Sequence, residues 1–261
     1  MTDLPELTLP PRLDDWVYRY YFTDEYPFGR RPSRHVRERR LQEIARWLGD
    51  RAPGRALDVG CGPAEMSAVL CRRFGPGCEV VSLDLGPSFA PLARTIVEAN
   101  GGRFRFLVGN AVRLPLQPAS FDLVITMEMI EHVPRWREFL AEAARVLQPG
   151  GRLIVSTPTR AGFHSWLKRA WQALTGWEKV NQACLRGEGT DYERFLAREE
   201  VVAAAAMAGL ALEAVKVKIF VFSFIPRPLF GLNRLAEAAL ERTPGLRELG
   251  VCRFYLFRKR G

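Results

Sequence analysis

Leu57-Asp58-Val59-Gly60-Cys61-Gly62-Pro63-Ala64 is the stretch that decides the fold, because a short apolar run ends there in a glycine turn. The run Ala56–Val59 predicts a buried strand, and Ala64–Phe74 predicts the helix that follows it. Glycines let the backbone turn sharply and approach a ligand closely, and the start of a helix presents free N–H groups. A strand, a glycine turn and a helix in this order are typical of a nucleotide-binding α/β fold.

Strand-like and helix-like patterns alternate downstream of this turn. Alternation at this spacing predicts an α/β protein with a doubly wound, Rossmann-like parallel sheet and helices on both faces. We expect Pro149-Gly150-Gly151 to separate one helix from the next strand. The strand-like runs are Ala56–Val59, Glu79–Leu83, Arg103–Val108, Phe121–Thr126, Arg152–Ser156, Leu212–Ser223 and Val251–Arg258, and the helical ones are Ala64–Phe74, Ser88–Asn100, Trp136–Leu147 and Ala197–Ala208.

Three segments depart from this alternation. Residues 1–55 read as an N-terminal helical cap, and within it Arg34–Gly49 has the pattern of an amphipathic helix. Residues 56–261 form the main domain, which two helical insertions interrupt at about 159–198 and 224–249. The cap and the insertions are the parts that we expect to select the substrate.

Composition narrows the classes of protein. The net charge of +9 favours anionic partners, but no RNA-binding module pattern occurs, so we expect no nucleic-acid partner. The five cysteines are odd in number and form no CxxC pair, which argues against a disulfide framework or a zinc site. No apolar run reaches membrane-spanning length and the N-terminus lacks a signal-peptide pattern, so we predict a cytoplasmic protein, either free or peripheral on the inner face of the membrane.

An acidic residue follows the glycine turn at an informative distance. Asp84 ends the second strand, 22 residues after Gly62, where Rossmann-type sites bind ribose hydroxyls. Glu65 stands where a dinucleotide fingerprint has its third glycine. The turn therefore leaves less room for a pyrophosphate than a dinucleotide-binding site does.

Four segments together resemble a known family: LDVGCGPAEMSAVL (57–70), VVSLDLGPS (80–88), GNAVRLPLQPASFDLVITMEMIEHVP (109–134) and RVLQPGGRLIVSTPTR (145–160). In order and spacing they resemble the motifs of class I S-adenosylmethionine-dependent methyltransferases. MEMIEHVP with LQPGGRLIVSTPTR most resembles the ubiquinone-biosynthesis O-methyltransferases. The resemblance implies a seven-stranded methyltransferase sheet, S-adenosylmethionine as cofactor and methyl transfer, with O-methylation favoured.

The resemblance also implies the cofactor-binding residues. Asp58 would bind the amino group of the cofactor, and Asp84 the ribose diol. Leu85 would lie against the adenine, and Asn110, at a position where many relatives have aspartate, would lie near the adenine amine. The predicted cofactor-binding set is Asp58, Gly60, Cys61, Gly62, Asp84, Leu85, Asn110, Ala111 and Met127.

Glu128, Glu131 and His132 are the predicted catalytic residues, because they follow the fourth strand at the carboxyl edge of the sheet, where ligands bind in open α/β folds. On a helical turn their spacing would put them on one face. Three roles are open: His132 as a general base, the three side chains as ligands of Mg²⁺, or Glu131-His132 as a structural helix start.

The predicted acceptor is a small molecule, apolar or lipid-like. Phe163–Leu174 places its apolar residues on one helical face, typical either of a lid over a pocket or of a helix that contacts a membrane surface. Tyr20, Tyr21, Phe22 and Tyr26 are candidate walls of the acceptor site. The alternatives are an RNA or protein methyltransferase, and a regulatory protein that binds the cofactor without transferring its methyl group.

Overall fold

The computed structural model describes residues 30–159, 194–219, 230–243 and 245–261. Its strands are β1 (Arg55–Val59), β2 (Glu79–Asp84), β3 (Phe106–Val108), β4 (Phe121–Met127), β5 (Leu147–Pro158), β6 (Leu210–Lys218) and β7 (Cys252–Lys259). Its α-helices are α1 (Arg30–Leu48), α2 (Glu65–Phe74), α3 (Ala90–Ala99), α4 (Trp136–Val146), α5 (Arg198–Met207) and α6 (Phe230–Arg242). Short 3₁₀ turns lie at Gly75–Gly77, Pro87–Phe89, Ile130–His132 and Leu246–Leu249.

All seven strands form one sheet in the order β3-β2-β1-β4-β5-β7-β6, which confirms the doubly wound α/β prediction. Strands β1 to β5 pair in parallel, whereas β7 runs antiparallel to both β5 and β6. The chain reverses its direction of winding at β1, between β2 and β4. A crevice at such a switch point, outside the carboxyl ends of the strands, is where ligands bind in this architecture.

The sheet buries an apolar core on each face. Helices α4 and α5 contribute to one core, and α2, α3 and α1 contribute to the other. Helix α1 contributes Leu41, Ile44 and Leu48, each at most 4% exposed. The amphipathic helix predicted within the N-terminal cap therefore packs into a core of the main sheet.

The predicted role of Pro149-Gly150-Gly151 is wrong, because this triplet lies inside β5. Helix α4 has already ended at Val146. Gly150 adopts a φ of 78°. The pairing register between β4 and β5 shifts nearby, so the triplet forms an irregularity within the strand. Strand β3 is also shorter than predicted, with only three residues.

Several expectations fall outside the described residues. These include the stripe Phe163–Leu174 and the aromatic residues Tyr20, Tyr21, Phe22 and Tyr26, so their contacts with an acceptor or a membrane stay predictions. In the second insertion, α6 agrees with the expected helical pattern.

Among the described helices, none has both the length and the apolar character needed to cross a membrane.

Candidate functional site

The glycine turn after β1 lies at the carboxyl edge of the sheet, next to the end of β2. Gly60 and Gly62 have φ values of 67° and 50°, which only glycine adopts without strain. The Gly60 N–H donates to the carbonyl oxygen of Leu83 over 2.8 Å. A Cβ atom on Gly60 would lie 2.3 Å from Cγ of Met129, so a side chain at position 60 would clash with Met129.

The Asp84 carboxylate connects two turns at this edge. Its Oδ2 accepts the Gly62 N–H at 2.8 Å, and its Oδ1 accepts the Gly86 N–H at 2.9 Å. Burial raises the pKa of the Asp84 carboxyl, and these N–H donors act in the opposite direction. Each oxygen keeps a further lone pair, so the carboxylate can still accept hydrogen bonds from a ligand.

Two further carboxylates surround the turn. Asp58 is 2% exposed and its Oδ2 accepts the Ser67 N–H and hydroxyl at 3.1 and 2.8 Å. Burial raises the pKa of Asp58 to about 6, and the nearby charge of Asp84 adds to this effect. Burial also raises the pKa of Glu65 to about 7, although Arg37 lies 3.3 Å away. Because Arg37 pairs with Glu65, the negative charge at the turn comes from Asp58 and Asp84, and it favours a cationic ligand over a pyrophosphate.

The buried carboxyl of Asp58 should make stability depend on pH. The unfolded chain ionises Asp58 near the ordinary value of 3.8, whereas the folded chain ionises it at about 6. The folded state therefore holds the extra proton between these values, and the free energy of unfolding falls as the pH rises through this window. We expect Asp58→Asn to remove this loss, which is at most about 3 kcal/mol. Thermal denaturation should give a higher Tm for the variant at about pH 8 and no gain at about pH 4.

Ser67→Ala is the matched control for Asp58→Asn. The Ser67 hydroxyl lowers the pKa of Asp58, so its removal should raise that pKa further and extend the decline of stability to higher pH. If the free energy of unfolding of Asp58→Asn falls as much as that of the wild type between about pH 4 and pH 7, the result would contradict the assignment.

Two apolar side chains lie uncovered beside the three carboxylates. Leu85 is 62% exposed after β2, and Val108 is 56% exposed at the end of β3. Asp84 pairs with Val108 in the sheet, so both side chains belong to the same edge. Asn110 follows, and its Oδ1 accepts the Val112 N–H at 3.1 Å. The predicted site missed Val108, whose only signal was its position at a strand end.

Glu128 follows β4 directly and has a φ of 49°, a left-handed conformation unusual for a residue with a side chain. Its Oε2 lies 2.7 Å from Nη2 of Arg40, and its Oε1 accepts the Ser156 hydroxyl at 3.1 Å. Met127, the residue before it, is half-buried at the end of β4. Arg40 belongs to α1 and was not among the predicted site residues.

Glu131 and His132 lie in the 3₁₀ turn Ile130–His132. Glu131 is 2% exposed and accepts the Thr157 hydroxyl at 3.1 Å. Burial, and then the charge of Glu128, raise the pKa of Glu131 well above its ordinary value. His132 is half-buried. The predicted single helical face is therefore not formed, because Glu128 stands outside the turn that holds the other two residues.

The described residues do not offer a metal site at this edge. No group of three or more histidine, cysteine, aspartate or glutamate side chains among them is placed to hold a metal ion. Arg40 already brings a positive charge to Glu128, and Thr157 donates to the buried carboxyl of Glu131. With these partners in place, Glu128 and Glu131 do not fit the Mg²⁺ alternative.

Comparison with known proteins shows the family of this chain. A family model described as a methyltransferase domain matches residues 57–155. The ubiquinone biosynthesis O-methyltransferase of Xanthomonas euvesicatoria pv. vesicatoria is 34% identical over 183 residues, which cover 69% of this chain and 72% of that protein. The demethylmenaquinone methyltransferase of Thermus thermophilus is 32% identical over 170 residues, which cover 62% of this chain and 77% of that protein.

Solved structures agree at the level of the fold. An S-adenosylmethionine-dependent methyltransferase of Methanosarcina mazei superposes with a TM-score of 0.57 at 18% identity, over 83% of this chain and 97% of that one. The sequence relatives show the family as well as the fold, because each is more than 30% identical and the match covers more than two thirds of its length. The chain therefore belongs to the class I S-adenosylmethionine-dependent methyltransferases and is an enzyme of that family.

Proposed function

We propose that this enzyme binds S-adenosylmethionine at the glycine turn and transfers its methyl group to a hydroxyl of a small apolar acceptor. The observation that carries the cofactor site is the charge of the edge. Asp58 and Asp84 lie close enough for the charge of Asp84 to raise the pKa of Asp58, whereas Glu65 is paired with Arg37. A sulfonium and an ammonium group would relieve this concentration of negative charge, whereas a dinucleotide would add to it.

The remaining contacts follow from the positions of the side chains. Asp58 would bind the ammonium group of the cofactor and Asp84 the ribose diol, with two oxygens that backbone N–H groups already orient. Leu85 and Val108 would lie against the adenine, which would cover their exposed surface. Asn110 would meet the adenine amine through its side-chain oxygen. Gly60, Cys61, Gly62, Ala111 and Met127 complete the proposed cofactor-binding set.

The proposed acceptor is a hydroxyl on an apolar ring, because the relatives carry names of quinone-biosynthesis methyltransferases. When bound, the cofactor supplies an electrophilic methyl group. Glu128 and His132 lie after β4 on the same edge. In the proposal Glu128 accepts a hydrogen bond from the acceptor, and His132 takes the proton from the hydroxyl that becomes methylated. Glu131, which is buried and bonded to Thr157, supports this turn.

A methyl-transfer assay with labelled S-adenosylmethionine tests the acceptor class. We expect label to appear on a long-chain alkylcatechol and on neither RNA nor a histone-like peptide. Label on RNA or peptide would instead support the nucleic-acid or protein methyltransferase alternative. Tight cofactor binding by calorimetry with no transfer to any acceptor would support the regulatory alternative.

A further inference from the structure

Arg40 contacts two elements that meet beside the proposed acceptor site. Its Nη2 lies 2.7 Å from Oε2 of Glu128, at the end of β4, and its Nε donates to Sγ of Cys252 at 3.1 Å, at the start of β7. The guanidinium thus reaches from α1, on one face of the sheet, to the carboxyl edge. A guanidinium presents several donors in a fixed plane, so two simultaneous contacts fix its orientation.

Docking of α1 on the sheet does not require this contact. Leu41, Ile44 and Leu48 already bury the apolar side of the helix. Arg39, the preceding residue, pairs with Glu237 and Glu241 of α6 at 3.2 and 3.0 Å. Because ion pairs removed from water gain little net stability, the presence of Arg40 at the edge calls for a role beyond holding the helix.

Glu128 is held more firmly than a surface carboxylate. Its backbone N–H donates to the Ser156 carbonyl oxygen at 3.1 Å, and the Ser156 hydroxyl donates to its Oε1. The left-handed φ of 49° is strained for a residue with a Cβ, and such strain persists where surrounding contacts determine the conformation. The side chain remains 17% exposed, whereas that of Glu131 is buried, so Glu128 is the carboxylate of this pair that a ligand can reach.

We propose that Arg40 is a positioning residue for methyl transfer, which holds the Glu128 carboxylate in the orientation that receives the acceptor hydroxyl. The inference rests on the proposed function, because it takes Glu128 to face the acceptor. The N-terminal helix then completes the acceptor side of the site, while the glycine turn and Asp84 bind the cofactor without it.

Kinetics of single and double variants test this role, with a long-chain alkylcatechol as the acceptor. We expect Arg40→Met to lower kcat/KM for the catechol about tenfold or more, with the calorimetric Kd for S-adenosylmethionine unchanged. Arg40→Lys should lose less, because its ammonium still reaches Glu128 but gives up the contact with Cys252. In the Glu128→Gln background Arg40→Met should have no further effect, because a residue that acts through Glu128 loses its influence with it.

Arg39→Met is the matched control, since it removes an adjacent arginine of the same helix, which pairs with Glu43, Glu237 and Glu241. We expect it to lower the Tm and to leave kcat/KM unchanged. Equal losses from Arg40→Met in the wild-type and Glu128→Gln backgrounds, or no loss in either, would overturn the proposal. If Arg40→Met does not fold, Arg40→Lys replaces it in the same cycle.

Amide hydrogen exchange separates failure of this inference from failure of the proposed function. Arg40→Met should increase exchange in residues 127–132, whereas Arg39→Met should not. If the wild type binds S-adenosylmethionine but does not methylate the catechol, the acceptor proposal fails, and the exchange result alone decides the role of Arg40. Unchanged exchange in 127–132 would then overturn it.

Discussion

Asp84→Ala is expected to weaken S-adenosylmethionine binding about 100-fold, as measured by calorimetry. The carboxylate would accept hydrogen bonds from the ribose diol, and bonds to a charged group contribute about 1.5–3 kcal/mol. The substitution also removes the acceptor for the Gly62 and Gly86 N–H groups, so both turns lose a shared anchor. Asp84→Asn should lose less affinity, because its single side-chain oxygen still accepts one of these bonds.

Asp122→Ala is the matched control for Asp84→Ala. Asp122 is also half-buried, and its Oδ2 accepts the backbone N–H of Arg55 at 2.7 Å, at the amino ends of the strands. This variant should lose stability and keep the cofactor affinity of the wild type. A folded Asp84→Ala variant that binds as tightly as Asp122→Ala would refute the ribose assignment.

His132→Ala is expected to lower kcat about 100-fold while the Kd for S-adenosylmethionine changes less than about twofold. His132 ends the 3₁₀ turn after β4, at the edge proposed for the acceptor. A general base contributes to the barrier of the chemical step, so its loss appears in kcat. Single-turnover methyl transfer with saturating cofactor measures this step directly.

Two comparisons separate a base from a structural residue at position 132. His132→Asn keeps hydrogen-bonding capacity but accepts no proton, so it should be as slow as the alanine variant. Added imidazole should restore part of the activity of His132→Ala. Wild-type turnover in the asparagine variant would assign a structural role, and loss of wild-type activity on chelation, restored by Mg²⁺, would return the metal alternative.

The sequence could predict that the glycine turn and Asp84 lie together, because the signals for both are local. Gly60 and Gly62, which have positive φ, are two residues apart in the chain, and Asp84 ends the strand that lies next to β1. Alternating strands and helices place both at the carboxyl edge of the sheet, since parallel strands in this fold end at one edge. The spacing of Gly62 and Asp84 along the chain was therefore enough to predict that they lie close together.

The acceptor side could not be predicted in the same way. Arg40 is one arginine among many in a charged helix, and only the packing of α1 brings it to Glu128. The helical turn expected at Glu128–His132 failed because the left-handed residue Glu128 interrupts it. The antiparallel direction of β7 also leaves no local signal, because a buried strand has the same apolar pattern in either direction.

The contacts of α1 bear on how such enzymes can be recombined. Neighbouring arginines of this helix pair with Glu237 in the second insertion and with Glu128 at the carboxyl edge of the sheet. A chimera that joins residues 56–261 to the N-terminal segment of a relative would keep the glycine turn and Asp84 of the proposed cofactor site but would lack the partner of Glu128. To exchange acceptor preference between relatives, the helix should therefore have to be transferred together with its carboxylate partners Glu128 and Glu237.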